Sequence, residues 1–205
     1  MGSQSSKLSP EVLSDLHLNT KFSKAEIHKW YRNFIKECPS GQLNEEEFKQ
    51  MYIDFFSPGD ELRFSKHVFR TFDTNGDGRV DFREFLWSIS ITSHGTVEQK
   101  LTWAFTMYDL DGDGYITREE MLEIVSCMYK MGCTRIHACI NEFGAEITPE
   151  THVEKIFRQM DKNMDGKLSL EEFIEGTKLD PAFLGILKRD EKISTEYPVI
   201  VQQIT

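Results

Sequence analysis

The sequence predicts an all-α chain: four helix–loop–helix units in two paired lobes, with short β contacts between paired loops. Three observations carry this expectation. One twelve-residue pattern, D-x-[DN]-x-[DN]-G-x5-E, occurs three times, at 73–84, 109–120 and 161–172. An apolar residue stands at the eighth position each time, Val80, Ile116 and Leu168, where two facing loops would share an antiparallel contact. Helix-start signals flank the loops, and no long alternating run suggests a substantial sheet.

The elements follow in order. Ser9-Pro10 places an N-cap and a proline at the start of a first helix. Ser23-x-x-Glu26 is a capping box opening a helix to about residue 36. Asn44 caps the next helix. In the three loops Asp81, Thr117 and Ser169 precede Glu84, Glu120 and Glu172 by three residues, so each outgoing helix starts inside its loop. Thr148-Pro149 opens a helix to Met160, and Asp180-Pro181 a short final helix to about Arg189. The last two loops start 52 residues apart rather than 36, and the surplus lies in an irregular link around 132–148.

The repeated pattern is the EF-hand loop, and it is a list of ligands. Ca²⁺ takes about six to eight oxygens at about 2.3–2.6 Å, from positions 1, 3, 5, 7, 9 and 12. A solvated acidic turn would match this pattern by chance about once in several hundred thousand positions. Three Ca²⁺ sites are therefore expected. Asp73, Asn75, Asp77, Arg79, Asp81 and Glu84 form the first set. Asp109, Asp111, Asp113, Tyr115, Thr117 and Glu120 form the second, and Asp161, Asn163, Asp165, Lys167, Ser169 and Glu172 the third. The last set offers three side-chain carboxylates, so it is expected to be the weakest site.

A fourth copy lies 37 residues before Asp73, at 36–47. It keeps Gly41, Leu43 and Glu47 at positions 6, 8 and 12. Lys36 puts a cation at position 1, Cys38 a soft thiol at 3, and Pro39 stiffens 4. Thiols do not suit Ca²⁺, so no metal is expected there. The four copies divide the chain. Residues 1–23 form an arm and first helix, 24–92 a first EF-hand pair, 93–178 a second, and 179–205 a final helix and tail.

Formal net charge is −10, and three Ca²⁺ ions would reduce it to −4. No basic patch with interleaved aromatics points to nucleic acid. Four cysteines without a disulfide framework, and no secretory signal, point to a reducing, cytoplasmic setting. Cys133, His137 and Cys139 have zinc-ligand chemistry, but a passive role in the link is favoured. Cys38 is read as a passive residue of the broken loop rather than a redox-sensitive thiol.

Two features point to a membrane. Met1-Gly2 through Ser6 fits the pattern for myristoylation of Gly2. Lys24, His28, Arg32 and Lys36 recur every four residues on one helix face, beside aromatics, where a solvated charged face is the blander alternative. The N-terminal half is rich in aromatic residues, beyond what two short helix pairs need. Trp30, Tyr31, Phe34, Ile35, Phe48, Tyr52, Phe55, Phe56, Phe85 and Leu86 are expected to line a groove for a lipid chain or an amphipathic helix.

Cys38-Pro-Ser-Gly41 in a broken first loop, Met1-Gly2 ahead of it and His67-Val-Phe-Arg-Thr-Phe-Asp73 resemble the neuronal calcium sensor family. So do Gln99-Lys-Leu-Thr-Trp-Ala-Phe105 and Glu154-Lys-Ile-Phe157. Leu18-Asn-Thr-Lys-Phe22 is similar to recoverin, and Phe82-Arg-Glu-Phe85 to hippocalcin and neurocalcin, within a visinin–recoverin–hippocalcin branch. The resemblance implies a calcium–myristoyl switch. The lipid lies in the N-terminal lobe without Ca²⁺; with Ca²⁺ it is expelled and the groove opens. A membrane-associated target is then regulated through an amphipathic helix, such as that of a receptor kinase or membrane guanylate cyclase. A second copy of the chain stands among the candidate partners. The implied location is cytoplasmic, with Ca²⁺-dependent peripheral membrane association. The competing role is a calcium buffer without a dedicated target. No catalytic motif appears, so an enzyme is not expected.

Overall fold

The computed structural model describes residues 7–53, 61–130 and 148–179. Helix α1 (Pro10–Asn19) starts where Ser9 Oγ accepts the Val12 amide. Helix α2 (Lys24–Glu37) carries the full capping box: Ser23 and Glu26 satisfy each other's backbone donors. The first unit continues through β1 (Gln42–Asn44) and α3 (Glu45–Ile53). The second has α4 (Glu61–Phe72), β2 (Arg79–Asp81) and α5 (Phe82–His94). The third has α6 (Val97–Tyr108), β3 (Tyr115–Thr117) and α7 (Arg118–Lys130). The fourth has α8 (Pro149–Met160), β4 (Lys167–Ser169) and α9 (Leu170–Leu179). Nearly all of the irregular 132–148 link and the final helix expected after Asp180 lie outside the described residues.

The loops pair as the eighth positions require. Strands β1 and β2 are antiparallel with Leu43 opposite Val80; β3 and β4 are antiparallel with Ile116 opposite Leu168. All four residues are buried, so each two-stranded contact is also the floor of a lobe. The two sheets are separate. One short link joins α5 to α6 through Gly95. A side chain there would put Cβ 2.4 Å from the Ile91 carbonyl oxygen, so the helix end closes only over glycine.

The first lobe is built of aromatics. Phe34, Phe48, Phe69, Phe72, Phe82 and Phe85 are all buried. Phe34 and Trp30 pack on Phe85 at 5.2 and 6.0 Å between ring centres, and Phe48 on Phe72 at 5.3 Å. Of the expected groove residues, Phe34, Phe48, Phe85 and Leu86 are thus core in this conformation. Trp30, Tyr31 and Ile35 are half-buried against that core. The side chains of Tyr52, Phe55 and Phe56 lie outside the described residues. On α2 the opposite face is basic: Lys24, His28, Arg32 and Lys36 are all exposed. Among the described residues, no helix is long and apolar enough to cross a membrane.

Candidate metal centres

The three matching loops share one internal circuit. The Asp at position 1 accepts the glycine amide at position 6: Gly78 to Asp73 at 2.9 Å, Gly114 to Asp109 at 3.0 Å, Gly166 to Asp161 at 3.0 Å. The Glu at position 12 reaches back across the loop. Glu84 Oε1 accepts the Thr74 and Asn75 amides at 3.1 and 3.2 Å. Glu120 Oε1 accepts those of Leu110 and Asp111 at 2.8 and 3.2 Å. Glu172 Oε1 accepts that of Lys162 at 3.2 Å. The second oxygen of each Glu caps the outgoing helix, on the amides of Asp81, Thr117 and Ser169. Backbone donors therefore hold the first and last carboxylates of each loop against the loop backbone.

The donor sets fit a hard divalent cation. Ligand oxygens of Asp109, Asp111 and Glu120 all lie within 4.8 Å of one another. Three carboxylates so close repel unless a cation stands among them. In the last loop Asp161 Oδ1 is buried without a hydrogen-bond partner. An unmatched buried carboxylate oxygen is costly, and a metal ion at position 1 would satisfy it. Burial alone would raise the Glu120 pKa. Hydrogen bonds from Thr117, Asp111 and Leu110 outweigh that and hold it below the usual carboxylate value. Glu172 behaves alike: burial pushes it up, and bonds from Ser169, Lys162 and Asn163 bring it below.

The first loop closes on itself instead. Cys38 is buried, and its Sγ lies 3.0 Å from the Gln42 carbonyl oxygen. Ser40 Oγ donates to the same oxygen at 2.7 Å. Gln42 is position 7, whose carbonyl would face an ion, so two protein donors already occupy that acceptor. Lys36, at position 1, is exposed and lies 3.6 Å from Glu37. Glu47 and Asn44 each accept the other's backbone amide at 2.9 Å, capping α3.

Two side-chain contacts between the third and fourth loops escaped sequence reasoning. Lys167 Nζ donates to Asp113 at 3.0 Å, tying the third and fourth loops together. The Asp113 pKa is held down by that bond, and the Lys167 pKa is held up by it. Arg118 Nη1 donates to the Gly166 carbonyl at 3.2 Å, stacks 4.4 Å over the Phe157 ring and approaches Asp161 Oδ2 to 4.0 Å. Position 4 differs too. Gly76 and Gly112 fill it at φ 70° and 75°, but the last loop forces Met164 to φ 60°. The mismatch between Met164 and those two glycines was visible in the aligned loops. The long-range arginine contacts left no periodic signal.

Comparison with known proteins agrees with this geometry. A model of an EF-hand domain pair matches residues 98–178, and an EF-hand model matches 66–86. Human recoverin is 42% identical over 186 residues, covering 91% of this chain and 92% of its own. The chain belongs to the recoverin and neuronal calcium sensor family. Neuronal calcium sensor 1 of Lymnaea stagnalis is 47% identical, over 91% of this chain and 96% of its own. S-modulin of Aquarana catesbeiana is 40% identical, over 90% and 91%. The first unit departs from the ligand pattern yet keeps its helices, its strand and buried Leu43, paired with the second through β1 and β2. It remains the structural partner of the second.

Proposed function

We propose that this chain is a Ca²⁺ sensor that binds three ions, through loops 73–84, 109–120 and 161–172, and none in the first. The observation that carries the proposal is the shared carboxylate circuit, with the unmatched oxygen of Asp161 at its first position. Bound Ca²⁺ supplies charge that the converging carboxylates lack. Glu84, Glu120 and Glu172, which start the outgoing helices, would be the position-12 ligands of such ions.

The sensing step is exposure of the aromatic core of the N-terminal lobe, residues 24–92. Phe34, Phe48, Phe85 and Leu86 are buried here, and half-buried Trp30, Tyr31 and Ile35 form the edge of that core. Opening of the helix pair would present them as a groove for an amphipathic helix of a membrane-associated signalling protein. A receptor kinase or membrane guanylate cyclase has suitable chemistry. Gly2 carries the myristoyl group, which leaves the lobe when the groove opens. The basic face at Lys24, His28, Arg32 and Lys36 rests on anionic headgroups. The protein is then cytoplasmic at low Ca²⁺ and peripheral to membranes at high Ca²⁺.

The test is retention on a phenyl matrix. A sensor is retained with Ca²⁺ and released by chelator, because sensor EF-hands open and buffer EF-hands barely do. Equal elution in both conditions would assign the chain to buffering.

A further inference from the structure

The strands link the first loop to the second and the third to the fourth, in two separate sheets. Communication between the second and third loops needs another connection. Helix α4 provides one. Arg70 stands three residues before Asp73, and its guanidinium leaves its own unit. Nη2 donates to the carbonyls of Asp109 and Thr106 at 2.7 and 3.1 Å, and Nη1 donates to that of Leu110. These carbonyls end α6 and begin the third loop. Terminal helix carbonyls lack intrahelical partners, and a cation there also opposes the helix dipole. A rigid fork of five donors suits such a fan of acceptors; a lysine ammonium does not.

The same turn of α4 holds the outgoing helix. His67 Nε2 lies 3.2 Å from Glu123 of α7. At the end of α4, Phe72 packs on Trp103 of α6 with ring centres 6.3 Å apart. One helix end of the N-terminal lobe therefore grips both helices of the third unit.

The geometry points to Arg70 as a positioning residue that couples the second and third metal loops across the lobes. An ion in the second loop fixes the end of α4. Through Arg70 it fixes the backbone that presents Asp109 and Asp111. Each ion then raises affinity for the other, and by linkage the factor is the same in both directions. The inference rests on the proposal that both loops bind Ca²⁺.

The experiment is a double-mutant cycle on the full chain, by NMR in Ca²⁺ buffers. The amides of Gly78 and Gly114 each donate to the first ligand of their own loop, so each reports one site. Four chains are compared: unmodified, Glu84→Gln, Arg70→Met and both together. With Arg70 present, Glu84→Gln should raise the Gly114 midpoint about fivefold or more. In the Arg70→Met chain the same change should move it less than about twofold, the usual limit for independent sites. Arg70→Lys keeps the charge without the fork and should resemble Arg70→Met; it also completes the cycle if Arg70→Met does not fold. A merely structural role would shift both midpoints together and leave their ratio unchanged, which would overturn the proposal. A Gly78 midpoint left unchanged by Glu84→Gln would remove the second-loop assignment first, and the coupling with it.

Discussion

Glu120→Gln tests the donor set whose ligand oxygens are found together. The Glu120 oxygens converge with those of Asp109 and Asp111 and accept the amides of Leu110, Asp111 and Thr117. The substitution removes one unit of negative charge at contact distance from a divalent ion. At about 2.5 Å, and even with the dielectric of water, that charge is worth about 3 kcal/mol of attraction. Affinity at this site should fall roughly a hundredfold or more. The metal-free fold should suffer as well. The new amide presents NH₂ to backbone donors on one side of the loop, and a donor facing donors costs about 1–3 kcal/mol. Isothermal calorimetry should therefore count two ions instead of three, and a chelated sample should melt at lower temperature. Glu47→Gln, in the self-closed first loop, should leave the ion count untouched. An unchanged count and affinity in Glu120→Gln would refute the assignment of the convergent carboxylates as ligands.

Met164→Gly should tighten the fourth loop. The side chain is almost fully exposed and the backbone lies at φ 60°. The gain should be about 0.5–1 kcal/mol after the added freedom of the unfolded chain is counted, read as a lower Ca²⁺ midpoint at the Gly166 amide. Ile116→Ala should cost about 2–5 kcal/mol, because Ile116 is fully buried opposite Leu168 and joins two loops; urea unfolding in chelator measures it. Gly2→Ala should abolish Ca²⁺-dependent vesicle binding with ion binding intact, since one lipid chain supplies about 5–6 kcal/mol and each basic residue at most about 1. Burial lowers the His67 pKa, partly opposed by Glu123 and aided by Arg70 and Lys66. The folded state then takes up its proton at lower pH than the unfolded state. Stability should be full above the ordinary value of 6.5 and fall as pH drops through the folded value. Melts from pH 8 to 5 should show this slope, and His67→Gln should flatten it.

Much of the candidate site was legible because the EF-hand pattern lists its expected ligands within twelve consecutive residues. Asp73 to Glu84 needs no distant partner to be recognised, and Val80 announces the strand opposite Leu43. The broken first loop was legible for the same reason: Lys36 and Cys38 violate ligand chemistry locally. Its manner of closure, Cys38 and Ser40 on the Gln42 carbonyl, depends on backbone geometry that spacing does not encode. The contacts of Arg70 and Arg118 were hidden too. They join residues 40 and 48 positions apart, and each reaches a backbone carbonyl, which carries no residue identity. The proposed groove had no signal beyond an excess of aromatics. Phe34 and Phe85 are equally what a core and a groove would contain, and in this structure both are core.

Native mass spectrometry of the full chain, titrated with Ca²⁺, tests the central claim most directly. The account predicts that three ions bind, that Glu84→Gln, Glu120→Gln and Glu172→Gln each remove one, and that Glu47→Gln removes none. A fourth ion lost on Glu47→Gln, or a limit of two in the unmodified chain, would contradict it.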